Sequence, residues 1–151
     1  MPNIKIAKQK AWEFYNKWRQ EATYSPALKC NVRISLKGWN HLAGNIDHEG
    51  YGKKRTASDA YRRLMLLPYA KGIIEKSTTI QNIITKNGRT FYGIEAMVIV
   101  KEDGKELPRK VRVVLIEDAA GNKIFYSVMD KKQRQLSLIK LSNNTRNNIK
   151  K

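Results

Sequence analysis

The pair Asn87-Gly88 constrains the fold of this chain more than any other local feature. Both residues tolerate a positive φ, and they lie between two β-like runs at 80–86 and 90–101, so the pattern predicts a tight hairpin. Further β-like runs at 111–116 and 123–129 are separated by turn-forming residues. The second half of the chain is therefore predicted to be an antiparallel meander of three or four strands.

The first half of the chain has helical spacing. Apolar residues recur at three- and four-residue steps from residue 4 to about residue 23, which is typical of a helix that packs through one face. A β-like run at 28–36, a polar loop at 44–56 and a second helix from residue 58 to about residue 76 follow. Pro68 is expected to break or kink that helix.

These elements predict an α+β fold, with N-terminal helices packed on a four- or five-stranded antiparallel sheet. The chain has 151 residues, of which 41% are hydrophobic, and this is enough for one domain with its own core. We expect the domain to span residues 1–141, with residues 1–24 as the N-terminal helix. The basic, Asn-rich end at 142–151 is expected to be disordered.

The composition also bears on compartment. The single cysteine, Cys30, cannot form an internal disulfide. No apolar run approaches the roughly 18–20 residues of a membrane span, and the first ten residues carry no signal-peptide pattern. These observations predict a cytoplasmic site of action, while export as part of a larger toxin stays open.

The residue composition does not favour a metal site or a nucleotide-binding site. With one cysteine and two histidines, a zinc-type ligand set would need several carboxylates. The glycines match neither the Walker A nor the dinucleotide-binding spacing. The sequence therefore predicts no metal and no cofactor.

The charge balance indicates the class of partner. The chain carries 30 Lys and Arg against 13 Asp and Glu, a net charge of +17. Such an excess weakens a compact fold through self-repulsion unless a polyanion binds it, and nucleic acid is the favoured polyanion. The cations that we expect to bind nucleic acid are Lys53, Lys54, Arg55, Arg62 and Arg112. For the first four, a solvated surface position is the alternative.

The two histidines, His41 and His48, are the residues best suited to proton transfer near neutral pH. RNA can be cleaved without a metal when a base takes the 2′-hydroxyl proton and an acid protonates the departing 5′ oxygen. Nearby Lys or Arg then stabilises the charge on the pentacoordinate phosphorus. DNA lacks the 2′-hydroxyl, so this chemistry would select RNA. An exposed or structural role is the alternative for both histidines, and it is the stronger alternative for His48.

The order of elements resembles that of the barnase, EndoU, colicin-tRNase and RelE-like superfamily of metal-independent ribonucleases, in its phage- and toxin-associated branch. The resemblance spans residues 28–132, which would be the nuclease core. It rests on that order and on four stretches: VRISLKGWNH at 32–41, RRLMLLP at 62–68, YGIE at 92–95 and FYSV at 125–128.

The resemblance implies roles for particular residues. His41 would be the general base or acid, and Lys37, together with Lys53 and Arg55, would contact the phosphate. Tyr126 and Ser127 would present hydroxyl groups to the site, although Tyr126 could equally be a core residue. The pair of histidines with a nearby lysine is similar to the catalytic set of EndoU-like members.

Two functions follow as hypotheses. The first is a metal-independent endoribonuclease, such as a toxin that cleaves tRNA or mRNA, for which an acidic immunity or antitoxin protein is the expected partner. The second is a non-catalytic nucleic-acid-binding protein that uses its basic surface. A backbone binder should accept both RNA and DNA, with steep salt dependence and no product.

Overall fold

The computed structural model describes residues 4–43, 57–102 and 104–130. The predicted polar loop and the predicted disordered tail lie outside these residues. Within them the chain forms three helices and six strands, in the order α1 (Ile4–Trp18), β1 (Thr23–Ser25), β2 (Cys30–Arg33), α2 (Leu36–Ala43), α3 (Ala57–Lys76), β3 (Asn82–Lys86), β4 (Arg89–Glu102), β5 (Lys105–Glu117) and β6 (Lys123–Asp130).

The described strands form one mixed sheet in the order β1-β2-β6-β5-β4-β3. The α+β prediction is confirmed, because the helices belong to the first half of the chain and the long strands to the second. The sheet differs from the prediction in having six strands and one parallel pair, β2 with β6. Hairpins join sequence neighbours in antiparallel fashion, whereas β2 and β6 are separated by two helices and three strands, a connection long enough for parallel pairing.

The predicted hairpin at Asn87-Gly88 is confirmed. Asn87 and Gly88 both have positive φ, 52° and 74°, which matches the twist of the flanking strands. The turn between β5 and β6 is closed differently, because the Asp118 carboxylate accepts hydrogen bonds from the backbone N–H groups of Ala120 and Asn122 at 3.0 and 2.8 Å. Local turn chemistry thus sets the register of β3–β6.

The first helix ends at Trp18, five residues before the predicted end. Thr23–Ser25 instead forms β1, which pairs with β2 through Thr23 and Val32. The Trp18 indole donates a hydrogen bond of 2.7 Å to the Thr23 hydroxyl, which fixes the end of α1 against the sheet edge. This interaction is tertiary in origin, so helical spacing alone could not place the helix end.

The β-like run at 28–36 is shorter in the structure than predicted, because it contains two elements. Only Cys30–Arg33 is a strand, and helix α2 begins at Leu36. His41, expected just after a strand, lies on α2. The second predicted helix corresponds to α3, which continues through Pro68 to Lys76.

The core lies between the helices and the sheet. Tyr15, Trp18 and Phe125 form an aromatic cluster with ring centroids 5.1–6.0 Å apart, and all three are almost fully buried. The Tyr15 hydroxyl donates to the Ser35 carbonyl oxygen, and burial raises the pKa of Tyr15 above its ordinary value. The cluster therefore ties α1 to β6 and to the segment that leads into α2. None of the described helices has the length and apolar character of a transmembrane segment.

Candidate functional site

Helix α2 carries two of the predicted site residues, Lys37 and His41. They are four residues apart and so lie on the same side of the helix. The other side buries Gly38, Trp39 and Leu42. Because the apolar side of α2 packs against the sheet, Lys37 is left exposed and His41 half-buried.

Gly38 allows α2 to approach β6 closely. A Cβ atom at this position would lie 2.5 Å from the Phe125 carbonyl oxygen and 2.8 Å from the Tyr15 hydroxyl oxygen. Such distances are far below van der Waals contact, so only glycine fits without a shift of the helix. Because the helix lies so close to the strand, side chains on the outer side of α2 can contact side chains of β6.

His41 stacks on Tyr126 of β6. Their ring centroids are 4.0 Å apart and the ring planes differ by 25°, while Phe91 of β4 packs its edge near Tyr126 at 5.8 Å. The stack restrains the imidazole plane and covers one of its faces. The structure thus brings together His41 and Tyr126, which the sequence singled out separately.

A β-bulge decides how Tyr126 and Ser127 are oriented. Leu115 pairs with Phe125, whereas the preceding residue, Val114, pairs with Ser127, so Tyr126 is the extra residue in β6. Tyr126 stacks on His41, whereas Ser127 is only 1% exposed and its hydroxyl accepts a 2.6 Å hydrogen bond from an α3 guanidinium. The Ser127 hydroxyl therefore lies apart from the His41–Tyr126 stack.

A cleft of about 300 Å³ lies beside Lys37. Phe91, Ile116 and Ile124 are consecutive cross-strand partners on β4, β5 and β6, so this row connects the aromatic stack with the cleft floor. The walls come from the start of α2, the β3–β4 hairpin and the β5–β6 turn. The cleft is lined by Lys37, Asn87, Gly88, Arg89, Ile116, Glu117, Asp118, Ala119 and Ile124.

The acidic residues of the cleft are already compensated. Glu117 accepts hydrogen bonds from the Tyr92 hydroxyl at 2.6 Å and contacts the Lys123 ammonium at 3.3 Å. The Tyr92 hydrogen bond, followed by the one from Lys123, lowers the pKa of Glu117, and the same contact with Glu117 raises the pKa of Tyr92 to about 12. Hydrogen bonds from the Asn122 side chain and backbone lower the pKa of Asp118.

The two cations of the cleft, Lys37 and Arg89, are exposed. No carboxylate among the described residues lies within salt-bridge distance of either one. The cleft therefore combines two available positive charges, an apolar floor and an adjacent aromatic stack. An anion that carries a flat ring has the matching chemistry.

Two other predicted cations are placed against carboxylates. Arg62 of α3 makes a two-pronged contact with Asp130 of β6, with its shortest distance at 2.7 Å. Arg112 of β5 donates two hydrogen bonds to Glu95 of β4, at 2.8 and 2.5 Å. Neither guanidinium lines the cleft, and each ties neighbouring elements together.

The remaining predicted site residues, His48, Lys53, Lys54 and Arg55, lie outside the described residues. Within the part of the chain that the structure describes, no three His, Cys, Asp or Glu residues come together as a metal site would require. The sequence reasoning missed Arg89 and Phe91. Their position just after the Asn87-Gly88 turn was visible, but their proximity to α2 depends on the sheet order.

No protein-family model matches this chain, and no curated protein and no solved structure matches it either. The resemblance to the ribonuclease superfamily thus stays an interpretation of the element order and of stretches such as 32–41. The functional argument depends on the cleft and on the stack beside it.

Proposed function

We propose that this protein is a metal-independent endoribonuclease whose site is the cleft beside Lys37 together with the adjacent His41–Tyr126 stack. The observation that carries the proposal is that Lys37 lines the cleft while His41, one helical turn further along α2, stacks on Tyr126, in a chain of net charge +17. These residues come from two distant segments of the chain. The site of action would be the cytoplasm, where tRNA and mRNA are found.

Each group has a chemical role in this proposal. Lys37 and Arg89 bind the scissile phosphate and stabilise the additional negative charge that develops on it. His41 transfers a proton, either from the attacking 2′-hydroxyl or to the departing 5′ oxygen, because an imidazole can act as a base or as an acid. The stack on Tyr126 orients the imidazole. His48 is the sequence's candidate for the second proton transfer.

The test uses the full chain with RNA and with DNA of the same sequence, in the presence of a chelator. We expect cleavage of the RNA alone, with 2′,3′-cyclic phosphate ends on the products. Replacing His41 with Ala should lower the rate by about 10²–10⁴-fold. No cleavage by the wild type, or full activity in H41A, would contradict the proposal.

A matched pair of lysine variants tests the phosphate contact. Lys37→Ala removes a cleft charge, whereas Lys17→Ala removes an equal charge from an exposed position in the last turn of α1. We expect the first variant to lower the cleavage rate and the second to leave it near that of the wild type. Equal losses would mean that only the overall charge matters and would remove the cleft from the proposal.

The aromatic stack favours a second candidate function, that of a non-catalytic nucleic-acid-binding protein. Rings such as Tyr126 and Phe91 beside cations are typical of surfaces on which bases stack. This function predicts tight binding of both RNA and DNA that weakens steeply with salt, without product. An acidic protein partner that covers the cleft would compete with RNA in either case.

A further inference from the structure

One row of side chains crosses the sheet from β2 to β3 and includes the floor of the cleft. Each member is the cross-strand partner of the next, in the order Arg33, Ile124, Ile116, Phe91 and Ile84. Residues paired in this way direct their side chains to the same face of a sheet. Because Ile116 and Ile124 line the cleft, Arg33 lies on the cleft face as well.

The surroundings of Arg33 agree with this placement. Val32 is buried in the core and the next residue, Arg33, is exposed, as alternation along a strand requires. Hydrogen bonds from Asn122 are the main cause of the lowered pKa of Asp118, a residue of the cleft wall, and the charge of Arg33 adds to it. No carboxylate in the described part of the chain lies within salt-bridge distance of Arg33. Arg33 is therefore an available cation at the β2 side of the cleft.

A pair of like charges flanks the tight turn at the β4 side of the cleft. Lys86 and Arg89 are direct cross-strand partners on either side of Asn87-Gly88, and both are exposed. Like charges in this position destabilise a hairpin. None of the carboxylates that the structure describes lies within salt-bridge distance of Lys86. An anion bound between the two side chains would remove the repulsion.

We propose that a single strand of RNA lies along this row and binds it through two phosphates. The first is the phosphate that Lys37 and Arg89 hold in the proposed function, with Lys86 as a further contact. The second is another phosphate of the same strand, and Arg33 binds it. This inference rests on the proposed function in taking the ligand of the cleft to be RNA.

The distance between the two ends of the row fits two phosphates rather than one. Neighbouring strands lie about 4.8 Å apart, so Arg33 is about 14 Å from Phe91, three strands away. Arg89 is two residues further along β4, which adds about 7 Å at a right angle and makes the separation of the two Cα atoms about 16 Å. At roughly 3.4 Å per phosphate in a helical strand, this distance corresponds to about five nucleotides, and an extended strand needs fewer.

The surface between the two ends favours a single strand over a duplex. Ile124 and Phe91 are half-buried, so each presents part of an apolar side chain beside the cations. Bases can make such contacts when they are unpaired and turned outward, as in single strands and loops. The bases of a duplex are paired with one another and are not available to this row.

The test measures binding without reaction. RNA with 2′-O-methyl groups lacks the 2′-hydroxyl that the proposed cleavage needs, so it serves as an uncleavable ligand. A labelled strand of about six nucleotides is followed by fluorescence anisotropy across a range of salt, and a nucleoside monophosphate is the competitor that occupies one phosphate position. A duplex of the same sequence is the second competitor.

Arg33→Gln and Lys86→Gln each remove one charge from the row. Their matched controls are Lys29→Gln and Lys76→Gln, because Lys29 is exposed just before β2 and Lys76 is exposed at the end of α3, before β3 begins. We expect R33Q to weaken binding of the strand several-fold, to reduce the slope of log affinity against log salt by about 0.7, and to leave the affinity for the monophosphate unchanged. K86Q should weaken binding of both ligands. Both controls should remain close to the wild type.

The outcomes separate this inference from the ribonuclease proposal. The inference is overturned if R33Q binds the strand as K29Q does, if K86Q behaves as K76Q does, or if the duplex competes as well as the single strand. The expected binding pattern in a chain that cuts no unmodified RNA would support the row and contradict the ribonuclease proposal. Cleavage of RNA by a chain in which R33Q matches its control would support the enzyme and overturn the row.

Discussion

Replacing Gly38 with alanine tests how α2 is held against the sheet. The added methyl group would lie 2.5 Å from the Phe125 carbonyl oxygen, 2.8 Å from the Tyr15 hydroxyl oxygen and 2.9 Å from a Phe125 ring carbon. The carbonyl belongs to β6, which is paired on both sides, so it cannot rotate away as a side chain would. Helix α2 must therefore move away from β6.

The magnitude follows from two opposing terms. Alanine is favoured over glycine inside a helix by about 0.8–1.0 kcal/mol. Overpacking a core costs about 1–3 kcal/mol, and a contact with backbone belongs in the upper part of that range. We therefore expect G38A to lower the free energy of unfolding by about 1–2 kcal/mol, and Tm by about 2–8 °C in a chain of this size.

Gly72 in α3 provides the matched control, because a Cβ atom there would meet nothing within 4 Å. Gly72→Ala should raise the free energy of unfolding by about 0.5–1 kcal/mol through helix preference alone. Urea denaturation followed by tryptophan fluorescence measures both variants. The reasoning is refuted if G38A is as stable as the wild type, or if the two variants shift stability in the same direction.

Three further substitutions test other contacts. Thr23→Val leaves the buried Trp18 N–H without its acceptor and should cost about 1–3 kcal/mol in urea denaturation. Tyr92 has a pKa raised to about 12 by Glu117, so its contribution to stability is complete below pH 10 and is lost as the pH increases through 12. The difference in unfolding midpoint between wild type and Tyr92→Phe should therefore shrink over that range, and a constant difference would contradict the assignment. Arg112→Gln removes the closest partner of Glu95, a largely buried carboxylate on β4. We therefore expect this variant to lower the free energy of unfolding by about 1–2 kcal/mol and to leave the salt dependence of RNA binding unchanged.

Much of the fold could be predicted from local patterns. The hairpin at Asn87-Gly88 depends only on two residues that accept positive φ, and the structure has it in the predicted place. The β-like run at 111–116 predicted a strand, and the structure has it within β5, where Val111, Val113 and Leu115 are fully buried. Short-range spacing contains this information because the strand repeat is two residues.

The short elements were harder to predict. The stretch 28–36 has the alternation of a strand, but α2 begins at Leu36 because Trp39 and Leu42 are buried against the rest of the core. Strand β1 is only three residues long and is recognisable only through its pairing with β2. Neither element has enough residues for a periodic signal.

The candidate site, like the fold, could be predicted only in part from the sequence. The sequence pointed to His41 by the scarcity of histidine and to Tyr126 by resemblance, but it could not bring them together. Their contact depends on a bulge that re-aims Tyr126 and on a glycine, Gly38, that lets the helix approach. Ser127, one residue away, is directed to α3 by the same bulge.

The sequence by itself determined the basic character of the protein, its α+β class, its long strands and its tight hairpin, because composition and short-range periodicity are properties of neighbouring residues. Only the tertiary structure decided the parallel pairing of β2 with β6 and the stack of His41 on Tyr126. It also decided which cations line the cleft, namely Lys37 and Arg89, and which ones instead form ion pairs that stabilise the fold. These features depend on contacts between segments far apart along the chain. No local spacing of residues records such contacts.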